Sequence, residues 1–153
     1  MKLISPLFFA LTSTFLSSAV DAAMPKSEIL LADLDTPYGM KVSRITDDTS
    51  YNNQPFLIDQ GVYYTHEVIA EQGQSQTDLY YFDFASQSAF NLTNSPVSEY
   101  SPTLMPAKQA LSAIVVEKDG KQKLWQYPLK SDQQASRIFE WIEPVGYHAW
   151  GAD

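Results

Sequence analysis

The chain contains no cysteine. Disulfide staples, thiolate metal centres and a thiol nucleophile are all excluded. Positive charge is scarce as well: 10 Lys and Arg stand against 18 Asp and Glu, a formal net charge of −8. A surface of that sign repels phosphate, so neither nucleic acid nor an anionic lipid face is expected as a partner. Only 2 histidines and 6 glycines occur. There is no Gly-x-Ser-x-Gly elbow, no His-Glu-x-x-His helix and no glycine-rich phosphate loop. Past residue 22 no apolar run is long enough to span a bilayer. These absences argue against catalysis, and no cofactor or metal is expected.

What is present begins with an export signature. Lys2 precedes an apolar stretch from Leu3 to Leu16, and Val20-Asp21-Ala22 sets a branched residue at −3 and Ala at −1 of a cleavage site. Residues 1–22 therefore read as a secretory signal peptide, its apolar part being too short for a transmembrane helix. An uncleaved N-terminal anchor is the alternative. A lipid anchor is excluded, since no cysteine follows the run. An exported chain without disulfides must hold by packing alone, which suits a bacterial periplasm.

The exported part, 23–153, repeats itself. Arg44-Ile45-Thr46 leads to Asn53-Gln54-Pro55-Phe56. Shifted by 47 positions (46 to 93, 55 to 102) come Asn91-Leu92-Thr93 and Tyr100-Ser101-Pro102-Thr103. A weaker third copy has Arg137-Ile138-Phe139 and Tyr147-His148-Ala149-Trp150. A period in the mid-forties marks an array of small sheets.

Alternation and aromatic density predict strands rather than helices. The runs are Glu28 to Leu34, Val42 to Thr46, Phe56 to Ile58, Val62 to Thr65, Asp78 to Phe84 and Ala89 to Thr93. Pro102 to Met105, Ala113 to Val116, Lys123 to Tyr127 and Ser136 to Trp141 follow. Asp59-Gln60-Gly61 and Lys118-Asp119-Gly120-Lys121 are hairpin turns. Asp47 to Asn53 and the segments around Tyr100 and Tyr147 read as loops. Four antiparallel strands per period make a propeller blade, a single β-sandwich being the alternative. The expected fold is all-β: antiparallel four-stranded blades of a partial β-propeller of the six-bladed type, with about two complete blades plus flanking strands.

Asp78-Leu79-Tyr80-Tyr81-Phe82-Asp83, then Asn91-Leu92-Thr93-Asn94, then Glu99-Tyr100-Ser101-Pro102-Thr103 together resemble the blades of TolB-like propellers. In that family a blade runs from a Ser-Pro-Asp-Gly inner turn to a Leu-Thr outer strand. Ile45-Thr46, Gln54-Pro55 and the shortened Asp59-Gln60-Gly61 turn match the same pattern, so the resemblance spans roughly residues 28–150. Two departures stand out: Pro106-Ala107-Lys108-Gln109 replaces the Asp-Gly turn, and Phe139 replaces the Thr of the third outer strand.

The resemblance implies a ring of about six blades, more than this chain spans. A truncated reading frame is the expectation, and an arc completed by a second copy through open strand edges is the alternative. The resemblance further implies a non-catalytic scaffold that binds an envelope protein or peptide in the periplasm. A small-ligand-binding or hydrolase-associated propeller, with its catalytic part outside this chain, is the alternative function.

Candidate binding residues follow from the loops between periods. Tyr51, Tyr100 and Tyr147, with Asn52, Asn53, Glu99 and His148, are expected to form a polar-aromatic rim suited to a peptide or protein. The competing reading is that they merely finish turns. His66 and His148 are read as structural. Asp47-Asp48 with Asn52-Asn53 lacks calcium-loop spacing and reads as turn chemistry. Asn91-Leu92-Thr93 fits a glycosylation pattern but falls on a strand and is read as structural.

Overall fold

A computed structural model describes residues 23–151, apart from 35, 36, 38, 71, 72, 107, 108, 131 and 132. The expected signal peptide, 1–22, lies outside the described residues. Every regular element among those described is a β-strand. β1 (Leu30–Asp33) and β2 (Lys41–Arg44) form a two-stranded sheet. β3 (Asn52–Ile58), β4 (Gly61–Ile69), β5 (Ser75–Asp83) and β6 (Ser88–Asn91) form a second sheet in chain order. β7 (Ser98–Leu104), β8 (Ala110–Val116), β9 (Gln122–Pro128) and β10 (Ser136–Arg137) form a third, again in order. All pairings are antiparallel. Burial follows strand position. The central β8 is buried almost throughout, whereas β2 and β6, at sheet edges, are exposed along their length.

The three sheets share one register. Ile45 N–H donates to Ile29 O at 2.9 Å, Leu92 N–H to Leu79 O at 2.8 Å, and Ile138 N–H to Leu124 O at 2.8 Å. All three acceptor residues are buried. β1–β2 therefore corresponds to β5–β6 and to β9–β10. The repeated Leu-Thr signature has a physical cause here: the Thr46 hydroxyl accepts from Ile29 N–H at 2.9 Å, and the Thr93 hydroxyl from Leu79 N–H at 3.0 Å. Phe139 has no hydroxyl to offer and instead packs on Ile114, Leu124 and Val145. The repeated X-Pro signature opens the ladder, because proline has no N–H to give. Pairing shifts between Asn53 and Phe56 and between Tyr100 and Thr103. The residues before the two prolines, Gln54 and Ser101, take positive φ values of 53° and 57°.

Successive sheets are stitched together at these bulges. β7 lies against β3, β4 and β5. Ser101 N–H donates to Gln54 Oε1 at 3.0 Å and to Thr65 Oγ1 at 3.2 Å. At the same separation of 36 residues, His148 Nε2 meets Ser112 Oγ at 2.7 Å. One apolar cluster joins Ile29 and Ile45, which flank the first sheet, to Tyr64, Tyr80 and Phe82 of the second and to Phe84 just after β5. Another joins Ile114, Leu124 and Tyr100 of the third to Ile138, Phe139 and Val145.

Two boundary expectations need correction. Asn52, Asn53, Glu99 and Tyr100 lie within strands and not in loops. Their polarity is absorbed locally, since Asn52 bonds to Asp48 and Glu99 to Ser95, each four residues back. The last strand stops at Arg137, and the chain to Trp141 leaves the sheet so that Ile138 and Phe139 cover its core.

Candidate functional site

β3, β7 and the segment 145–151 occupy the same place in three consecutive repeats. Phe56, Thr103 and Trp150 are equivalent by the 47-residue period (56, 103, 150). All three line one cleft of about 630 Å³, together with Leu104, Pro106 and His148. Toward the other end of the same strands sit the tyrosines. Burial, then the neighbouring phenols of Tyr100 and Tyr147, hold the Tyr51 hydroxyl above its ordinary pKa, while its contact with Asn53 opposes this. Tyr100 and Tyr147 thus lie within electrostatic reach of Tyr51. Tyr147 is 93% exposed, whereas Tyr51 and Tyr100 are half-buried.

The remaining candidates divide. Asn53 is exposed, and its Oδ1 accepts from Gln54 N–H at 2.7 Å. Asn52 is 1% exposed and wholly engaged: its amide donates to Asp48 Oδ1 at 2.8 Å and Ser27 O at 3.2 Å, and its Oδ1 meets His66 Nδ1 at 2.7 Å. Glu99 is 0% exposed and bonds to Thr93, Ser95 and Tyr127. Neither side chain is presented at a surface. His148 is half-buried against Ser112.

The Ser112–His148 contact is a joint. Ser112 is fully buried and donates to Thr103 O at 3.1 Å, while Trp150 Nε1–H donates to it at 2.8 Å. His148 Nε2–H then supplies its remaining contact, and among the described residues Nδ1 is buried and unpartnered, with no carboxylate to orient the ring. Burial depresses the His148 pKa and favours the neutral ring this arrangement needs. His66 is likewise lowered by burial, against the opposing charges of Asp48, Glu67 and Asp78.

The turn residues weighed for metal or glycan are used internally. Asp48 Oδ1 accepts from Ser50 N–H and Asn52 Nδ2, both at 2.8 Å. Asn91 donates to Asp78 Oδ2 at 2.6 Å and accepts from the N–H groups of Thr93 and Asn94. Sequence reasoning missed Phe56, Thr103 and Trp150 as partners in one cleft. The period aligns them, but their unlike side chains hide the equivalence.

No protein-family model and no curated protein sequence matches this chain.

Proposed function

We propose that this chain is part of a TolB-like β-propeller, exported to the periplasm, and that it works as a non-catalytic scaffold. Its partner is an envelope protein or peptide, held at the inner-strand mouth. One observation carries the reading. Phe56, Thr103 and Trp150 come from three successive repeats and meet in one cleft, as equivalent residues of neighbouring blades do around a propeller axis. The two consecutive four-stranded meanders, each bonded at an equivalent position to the segment of the following repeat, support the same assignment. The gathered tyrosines suit partner binding, because aromatic side chains offer large rigid contact area.

Site-specific photo-crosslinking in the cell envelope tests this. A crosslinker at Tyr147 is expected to trap a discrete partner that the same group at Phe90, exposed on the outer strand β6, does not. Tyr147→Ala should weaken capture by about 1–2 kcal/mol without moving the melting temperature, as suits an exposed side chain of modest hot-spot strength. Equal labelling at both positions would remove the inner-strand mouth as the binding surface. Export itself predicts a mature N-terminus at Ala23.

A further inference from the structure

The repeat supplies its own internal control at position 99. Asn52 and Glu99 are equivalent by the 47-residue shift, and so are Asp48 and Ser95, and Thr46 and Thr93. In the earlier copy the acid sits on the loop, at Asp48, and the buried strand residue is a neutral amide. In the later copy the loop carries Ser95 and the buried strand residue is a carboxylic acid. Both arrangements tie the loop to the first residues of an inner strand. The fold is therefore satisfied by an uncharged group, and the ionisable one at Glu99 is surplus to it.

Glu99 sits where the second and third sheets meet. Thr93 donates to its Oε2 at 2.8 Å, Ser95 to its Oε1, and Tyr127 OH to Oε1 at 3.2 Å. The backbone oxygen of Glu99 also takes the Thr77 hydroxyl of β5 at 2.8 Å. Among the described residues no cation bonds to the carboxyl. The groups that face it are Asp78 from β5 and Tyr127 from β9, an acid and a phenol. Asp78 is itself buried, held by Asn91 and Gln76. Beside Glu99 runs a cleft of about 690 Å³ walled by Val97, Val115, Trp125 and Tyr127. Lys118, Asp119 and the paired Glu117 and Arg137 stand along the same cleft. Arg137 is committed to Glu117 and Glu140, at 2.6–2.8 Å.

We propose that this joint is a proton-operated latch: with Glu99 protonated the two four-stranded sheets stay closed, and on ionisation the uncompensated carboxylate draws water into the adjoining cleft and loosens them. Burying a carboxylate with no partner charge is costly, so the group either stays neutral or is hydrated. Burial, opposed by the Ser95 and Thr93 hydroxyls and reinforced by Asp78, pushes the Glu99 pKa up to about 7. The sign follows from linkage. A carboxyl whose folded pKa lies above its unfolded value contributes stability below the unfolded pKa and loses it as pH rises through the folded one. The latch thus closes on the acid side of neutrality. The lowered pKa values of His66 and His148 act in the opposite sense, with loss toward acid.

The test compares the full chain with Glu99→Gln and Glu99→Asn, the latter copying Asn52, across pH 5.5 to 8.5. The histidine contributions are common to all three and cancel in the comparison. The melting temperature of the unaltered chain is expected to fall relative to Glu99→Gln by roughly 5–10 °C over that range. Trp125 fluorescence should report cleft hydration with a midpoint near neutrality, absent from the variant. Should Glu99→Gln fail to fold, carboxyl NMR of Glu99 in the unaltered chain decides alone. A midpoint near neutrality supports the latch. A midpoint below pH 5, or the same pH profile with and without the carboxyl, overturns it.

Discussion

Thr65 shows how a single hydroxyl can hold two repeats together. It is fully buried on β4, donates to Gln54 Oε1 at 2.8 Å, and accepts from Ser101 N–H at 3.2 Å across the sheet boundary. Thr65→Val keeps the volume and removes both bonds. Such a change should lower stability by about 1–2 kcal/mol, read by urea denaturation. A loss within about 0.5 kcal/mol would mean that Gln54 alone secures the Ser101 amide. At this scale the sequence was only half legible. The repeated Thr and Pro letters pointed to real constraints, at Thr46 and Thr93 and at the two bulges. Asn52 and Glu99 were misread as loop residues because a polar letter carries no sign of burial. What buries them is a partner four residues back, Asp48 or Ser95, and that pairing differs chemically in the two copies.

Among elements, the β3–β4 hairpin was legible from its Asp59-Gln60-Gly61 turn. A type I′ turn would need positive φ at both Asp59 and Gln60, a type II′ turn at Asp59, and neither residue has it. Gly61 is required by crowding instead. A Cβ there would lie 2.1 Å from Phe82 O and 2.7 Å from the Tyr81 ring, so β5 approaches as only glycine allows. Gly120 is the contrast, with open space around it but a φ of 80°. Gly61→Ala should therefore cost about 3 kcal/mol by displacing β5. Gly120→Ala, strained only in its backbone, should cost about 1–2 kcal/mol. Thermal unfolding of the two variants distinguishes them, and equal losses would show that close packing at Gly61 relaxes freely. The short β10 was less legible. Ser136 to Trp141 has strand-like composition throughout, but bonding to β9 ends with the Ile138 N–H on Leu124 O, and Ile138 and Phe139 cover Ile114 and Leu124.

At the scale of the whole molecule, the all-β, antiparallel character was legible, and within each sheet strands pair in chain order. The period in the sequence could not reveal which residues cross to the next repeat, since those contacts differ in kind: the Ser101 N–H to the Thr65 hydroxyl in one place, the His148 ring to the Ser112 hydroxyl in the other. Stability in such an array is close to a sum of sheet and interface contributions, so damage should stay near its source. The segment after β10 offers the cleanest place to see this. Val145 is buried against Ile114 and Leu124, and its N–H donates to Gln122 O at 3.0 Å. Glu143 beside it pairs with Lys121 and Lys123. Val145→Asp places an unpaired carboxylate in that cluster and should release the segment. Hydrogen exchange is then expected to speed up about tenfold or more in β8 and β9, while β4 and β5, sheltered by Ile29 and Ile45, keep their protection. If all four strands lost protection together, the sheets would form one cooperative core and the additive picture would be wrong.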